Sequence, residues 1–71
     1  MFICKQIKIG DNGNRVLLLQ EILKARGLYS GNLDKSFGSQ TLKAVQNYQR
    51  SRNLTVDGIV GPATWKDLIA I

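Results

Sequence analysis

Two carboxylates, Asp34 and Asp57, stand in matching surroundings, and by type they are the side chains of this chain best suited to catalysis as a pair. Paired acids hydrolyse glycosidic bonds, one protonating the leaving oxygen while the other attacks or activates water, and they must flank a cleft. The surroundings explain these two acids in another way. Asp34, Phe37, Gly38, Thr41, Leu42 and Lys43 return in the same order and spacing as Asp57, Val60, Gly61, Thr64, Trp65 and Lys66. A repeat inside 71 residues means one supersecondary unit used twice. In each copy the acid precedes a tight turn, where a carboxylate accepts N–H groups of its own turn and pins the loop. Phe37 and Val60 are expected to plug the loop into the core. Gly38 and Gly61 are expected to permit a backbone angle or close approach that a side chain forbids. Thr41 and Thr64 fall in the first turn of the following helix, where their hydroxyls can serve local backbone groups.

Other chemistries fail on inventory. The chain has no histidine, Glu21 is its sole glutamate, and Cys4 and the serines lack a histidine to serve as general base. Nucleophilic, zinc-hydrolytic and acid–base mechanisms each need a cluster that these residues do not supply. A lone cysteine makes no internal disulfide, and Cys4 is expected to have no role. Asp34 and Asp57 lack the accompanying acids of a calcium loop. The expectation is a protein that is not an enzyme and carries no metal or cofactor.

Stepping outward, three helices must position the repeated loops. Arg15 to Arg26 is amphipathic, with Val16, Leu19, Ile22 and Leu23 on one stripe and Leu18 widening it. Gly27 supplies the left-handed stop, after which Leu28 folds back. Residues 29–38 form a loop. A second helix is predicted from Ser39 to Arg52 with Leu42, Val45 and Tyr48 inward, and Asn53 and Leu54 repeat the stop. A third begins at Pro62, a residue preferred at the first helical position, and runs to the end with Trp65, Leu68 and Ile69 inward. Matched at an offset of 26, Gln20 pairs with Gln46 and Arg26 with Arg52. The predicted core is Leu19, Leu23, Phe37, Leu42, Val45, Val60, Trp65 and Leu68. The fold class is all-α, a three-helix module built from a duplicated helix–loop unit, in one domain over 1–71. Residues 1–9 form a lead with some strand character, and residues 10–71 form the module.

Ten basic against five acidic residues leave a net charge of +5. That balance favours polyanionic partners such as nucleic acid, an anionic membrane or an anionic wall polymer, without choosing among them. No apolar stretch approaches the ~18 residues of a membrane span. The apolar start Met1 to Cys4 is too short for a secretory core, so no signal peptide is visible and the export route is left open.

In order along the chain, Gly10-Asp11-Asn12-Gly13, Val16, Leu19-Gln20, Leu23, Gly27-Leu28-Tyr29 and Gly31 resemble the opening of the type 1 peptidoglycan-binding domain, a module attached to bacterial and phage cell-wall hydrolases. Leu33-Asp34, Phe37-Gly38, Thr41, Ala44-Val45 and Tyr48-Gln49 resemble its central loop and second helix. Asn53-Leu54, Val56-Asp57-Gly58-Ile59-Val60-Gly61-Pro62, Thr64-Trp65 and Leu68 resemble its closing segment. About residues 8–69 are covered. Two residues depart from the pattern. Lys35 stands where an Asp-Gly pair is usual, implying a differently shaped turn, and Tyr48 takes a position often held by Phe.

The resemblance implies non-catalytic binding of peptidoglycan that targets an associated murein hydrolase or peptidase, with function at the cell wall or outside the cytoplasm. The expected ligand groups are Tyr29, Tyr48, Gln49, Arg50, Arg52, Asp57 and Trp65, which bring aromatic surface, amide and hydroxyl groups and cations for stem-peptide carboxylates. The structural loop residues are Asp34, Phe37, Gly38, Thr41, Asp57, Val60, Gly61 and Thr64. One rival keeps the fold as a protein–protein or substrate-positioning module. A helix-turn-helix nucleic-acid binder would use Lys43, Gln46, Asn47 and Arg50 on an outer face, but it leaves the repeated acidic loops without a role. The expected partners are therefore peptidoglycan and a catalytic hydrolase domain or protein, with no nucleic acid and no membrane.

Overall fold

Both interhelical loops are anchored by the residues that precede the first helix. The computed structural model describes residues 6–69; residues 1–5, with Cys4, and residues 70–71 lie outside the described part, and so does the expected run of the third helix to the end. The fold is all-α, with α1 Asn14–Ala25, α2 Ser39–Ser51 and α3 Pro62–Ile69. β-pairing among the described residues is confined to two isolated antiparallel bridges, Ile7 with Val60 and Asn12 with Ser36. Ile7 N–H donates to Val60 O at 3.2 Å and Val60 N–H returns to Ile7 O at 2.9 Å. Phe37 N–H donates to Asp11 O at 2.9 Å, and Phe37 O accepts from Gly10 N–H at 3.0 Å. The lead thus supplies backbone partners to the plug residue of each loop, satisfying groups that burial would otherwise strand.

The helices begin and end alike. Gly13, Gly38 and Gly61 each offer the carbonyl that accepts the first intrahelical bond, from Leu17, Leu42 and Trp65. At the C-terminal end of α1, Leu28 N–H reaches Leu23 O at 2.9 Å and Gly27 N–H reaches Lys24 O at 3.0 Å. The end of α2 repeats this, with Leu54 N–H to Gln49 O at 2.8 Å and Asn53 N–H to Arg50 O at 3.3 Å. Gly27 and Asn53 both take positive φ, 77° and 59°. This is the double-bonded helix stop that consumes two orphan carbonyls and turns the chain back over its own last turn.

The core is Ile7, Val16, Leu19, Leu23, Tyr29, Phe37, Ala44, Val45, Tyr48, Val60, Trp65 and Leu68. Each of the larger side chains contributes about 1.5–3 kcal/mol by leaving water. Four expected inward residues differ, the first being Ile22, which is only partly buried against the core. Leu18 is exposed because α1 turns Gln20 inward instead: each residue advances about 100°, so Leu18 and Gln20 flank Leu19 on opposite sides. Ile69 is exposed because α3 buries Thr64, Trp65 and Leu68, and Leu42 is only partly buried at the core's edge.

Candidate functional site

Each acidic loop is held by a buried glutamine from the helix before it. Gln20 Nε2 donates to Asp34 Oδ1 at 3.0 Å, to Ser36 O at 3.0 Å and to Thr41 Oγ1 at 3.1 Å, while Gln20 Oε1 accepts from Lys35 N–H at 3.1 Å. Gln49 repeats the set, with Nε2 to Asp57 Oδ1 at 3.0 Å, to Ile59 O at 3.0 Å and to Thr64 Oγ1 at 3.2 Å, and Oε1 accepting from Gly58 N–H at 3.0 Å. Both glutamines have no exposed surface. A carboxamide suits this place because it offers donors and an acceptor from one planar group, so it satisfies both faces of a turn at once. Each acid also closes its own turn, Asp34 Oδ1 accepting from Ser36 N–H and Asp57 Oδ1 from Ile59 N–H, both at 3.0 Å. These bonds hold both carboxyls below the ordinary carboxylate range, led by Gln20 for Asp34 and by the Ile59 amide for Asp57.

The clamp revises several sequence readings. Gln20 corresponds in role to Gln49 rather than to Gln46, because the helix stops match at an offset of 26 but the glutamines do not. The signal lay in the chain: Val16, Leu19 and Gln20 repeat as Val45, Tyr48 and Gln49. The threonine hydroxyls accept from the glutamines of the preceding helix rather than serving local backbone. Lys35 does not change the turn. Its φ of 64° lies close to the 72° of Gly58, so a non-glycine residue takes the left-handed shape and both loops keep one geometry. Gly38 and Gly61 do not adopt positive φ, and a Cβ at either would meet nothing within 4 Å.

Those two glycines instead line hollows. Beside the first loop, Tyr29, Asn32, Asp34, Ser36, Gly38 and Gln40 are among the walls of a notch of about 320 Å³. Beside the second loop, Leu54, Asp57, Ile59, Gly61, Pro62 and Ala63 are among the walls of a notch of about 300 Å³. The duplication therefore yields two related notches, one lined almost wholly by polar side chains and the other by polar ones (Gln6, Thr55, Asp57, Thr64) and apolar ones (Leu54, Ile59, Pro62, Ala63) together. A further hollow of about 230 Å³, with Ser30, Gly31, Lys43 and Asn47 in its walls, shares Tyr29 and Gln40 with the first notch. The two adjoin across Tyr29 and Gln40, and the pair, termed the trough, follows the first loop and the start of α2.

Residues 12–68 match the model of the peptidoglycan binding domain family. The chain belongs to that family. It is 40% identical over 63 residues to a spore cortex-lytic enzyme of Bacillus cereus, covering 89% of this chain and 24% of that enzyme. It is 45% identical over 56 residues to the N-acetylmuramoyl-L-alanine amidase CwlM of Mycobacterium tuberculosis, covering 79% of this chain and 14% of the amidase. The chain thus spans a quarter or less of these curated relatives. The crystal structure of the SleB N-terminal domain superposes with a TM-score of 0.92 at 38% identity, covering 97% of this chain and 94% of that one.

The ligand residues expected from the sequence are scattered in this peptidoglycan-binding domain. Tyr29 lies in the trough, 6% exposed, with its hydroxyl donating to Asn32 O at 2.6 Å. Asp57 lines the second notch. Gln49, Tyr48 and Trp65 are core residues at 0%, 2% and 1% exposure, because each falls on the helix face that packs inward. Arg50 is exposed on α2, bonded to Asn47 Oδ1 at 3.1 Å, and lines neither notch nor the adjoining hollow. Arg52 pairs with Asp67 at 2.9 Å. Tyr48 donates its hydroxyl to the same carboxylate, and the Arg26 guanidinium lies 5.5 Å from the Tyr48 ring while bonding Leu68 O at 3.1 Å. Tyr48 and Arg52 thus fasten α3 to the preceding helices. The trough residues Asn32, Ser39, Gln40, Lys43 and Asn47 were not singled out as ligand groups by sequence reasoning. They are ordinary surface polar types, and only the fold shows that they border one depression.

Proposed function

We propose that this domain binds peptidoglycan without cleaving it, and that in a longer chain or complex it holds a murein hydrolase or peptidase against the wall. The family match over residues 12–68 carries this reading. The chemistry of the chain agrees with it. Asp34 and Asp57 each commit Oδ1 to a turn, and Asp67 spends its carboxylate on fastening α3. The working place is outside the cytoplasmic membrane, where the wall is. No helix among the described residues is long and apolar enough to cross a membrane.

The polar trough is the site we assign. It offers amide, hydroxyl and charged groups in one depression, as recognition of a polar polymer requires. A shallow site of this size supports modest affinity. The test is co-sedimentation with purified insoluble sacculi at moderate salt. Retention is expected, and protein left in the supernatant would refute the reading. Gly38→Ala refines the test. Its methyl meets no protein atom within 4 Å, so stability should fall only by the poorer N-cap, about 1 kcal/mol or less, with the fold intact, while retention weakens because the methyl enters the notch.

A further inference from the structure

We propose that the trough receives the peptide part of the wall polymer rather than its glycan, by reading a short segment that bears both a free ammonium and a free carboxylate. This rests on the peptidoglycan reading above and names the ligand within it. The first observation is negative for sugar. Glycan recognition uses an aromatic ring laid flat against the apolar face of a sugar, which needs an open ring face. Among the described residues every aromatic ring is buried: Tyr29 is 6% exposed, Tyr48 2%, and Phe37 and Trp65 1% each. Tyr29 brings the trough a hydroxyl-bearing edge, already committed to Asn32 O, and not a platform.

The second observation is the charge pattern. Of all the side chains lining the two joined hollows, one is anionic and one cationic. Asp34 belongs to the notch and Lys43 to the adjoining hollow, with Tyr29 and Gln40 common to both. Both hydrogen bonds to the Asp34 carboxylate fall on Oδ1, and none among the described residues falls on Oδ2. Lys43 is exposed on α2. An acid held by its turn in one hollow and an exposed base in the adjoining one complement a ligand with the opposite pair, an ammonium toward Asp34 and a carboxylate toward Lys43. Uncharged N-acetyl sugars have no use for that pair. Between the charges, Gln40 supplies a carboxamide suited to a peptide bond, which also carries one donor and one acceptor. Gly31 leaves room for that carboxamide, since a Cβ there would fall 2.2 Å from Gln40 Oε1.

The probes are a synthetic wall-type tetrapeptide with a free side-chain amine and a free C-terminal carboxylate, its amine-acetylated form, its C-terminal amide, and an oligomer of N-acetylglucosamine. Each is titrated as a competitor of sacculus retention. The free peptide should release the domain, each blocked peptide should be about fivefold weaker, as one partly exposed charge pair implies, and the sugar oligomer should release nothing. Lys43→Gln should bind acid and amide peptides equally while still preferring the free amine. Asp34→Asn, which keeps an oxygen for the turn, should lose the amine preference and keep the acid preference. Retention on sacculi that the sugar oligomer abolishes and the peptide does not would overturn the peptide assignment and leave the wall reading standing. Blocked and free peptides competing equally with the native domain would overturn it too, with no variant needing to fold. No retention on sacculi would remove both.

Discussion

One carboxamide organises each loop, and its loss should be felt far beyond its size. Gln20→Ala or Gln49→Ala strands a buried threonine hydroxyl, a carbonyl and a turn amide together. Each change should cost about 2–4 kcal/mol in chemical denaturation, since unpaired buried polar groups bear the full desolvation penalty. The loop turns carry a second expectation. Lys35 holds φ 64° where its counterpart is a glycine, so Lys35→Gly should raise stability by about 1 kcal/mol. Gly58→Ala should lower it by more than that, because a Cβ there lies 2.5 Å from Leu42 Cδ1 in addition to the backbone strain. Thermal melts of both variants check the opposite signs. At this scale the sequence was only partly legible. The repeated acids and plugs stood out because Asp, Gly, Thr and Lys recur identically at one spacing, with an apolar residue before each Gly. The glutamines were masked because helix and loop repeat at different offsets, and because a polar residue on a helix gives no local sign that it faces inward.

The third helix is the element with its own electrostatic fastening. Asp67 accepts from Tyr48 and Arg52, and Arg26 caps Leu68 O. Hydrogen bonds from Arg52 first and Tyr48 second hold the Asp67 carboxyl below its usual range, while burial first and Asp67 second push the Tyr48 phenol up to about 12. The signs differ. A depressed carboxylate stabilises the fold above its unfolded pKa of about 4, and that contribution disappears as pH falls through the folded value. Asp34, Asp57 and Asp67 all act this way, so the melting temperature should hold from neutrality to about pH 5 and fall below about pH 4. A raised phenol stabilises fully below its unfolded pKa of about 10, and that part is lost as pH rises toward about 12. Tyr48→Phe should lower stability by about 1 kcal/mol at neutral pH and flatten the alkaline decline. A pH series of melts on both proteins reads this directly. Tyr48→Ala is no surface probe, since removing a buried ring costs about 3–5 kcal/mol. Helix existence and stops were legible from periodicity and from Gly27, Asn53 and Pro62. The latch was not, because contacts between residues as far apart as Arg26 and Leu68 leave no local pattern.

The molecule as a whole is a duplication in which scaffold and surface have parted ways. The clamp, turn and plug are kept in both copies, while the notch lining is polar in one and more apolar in the other. The family was legible because its motif residues are those that build the scaffold. The ligand surface was not, because the repeat contains both buried residues, such as Thr41 and Gln49, and exposed ones, such as Asp34 and Lys43, and does not tell them apart. Tyr48, Gln49 and Trp65 match the family's spacing for packing reasons, and in the trough the repeated Asp34, Gly38, Thr41 and Lys43 are mixed with Asn32, Ser39, Gln40 and Asn47, which mark no surface in the sequence. Backbone amide shifts of the isotope-labelled domain, followed while soluble wall fragments are added, locate the binding surface directly. Saturable changes at Asn32, Asp34, Gln40, Lys43 and Asn47, with α3 and the outer face of α1 around Leu18 unmoved, are the expected result. Changes centred on Arg50, on the Arg52–Asp67 pair or on the second notch, or no change at all, would contradict it.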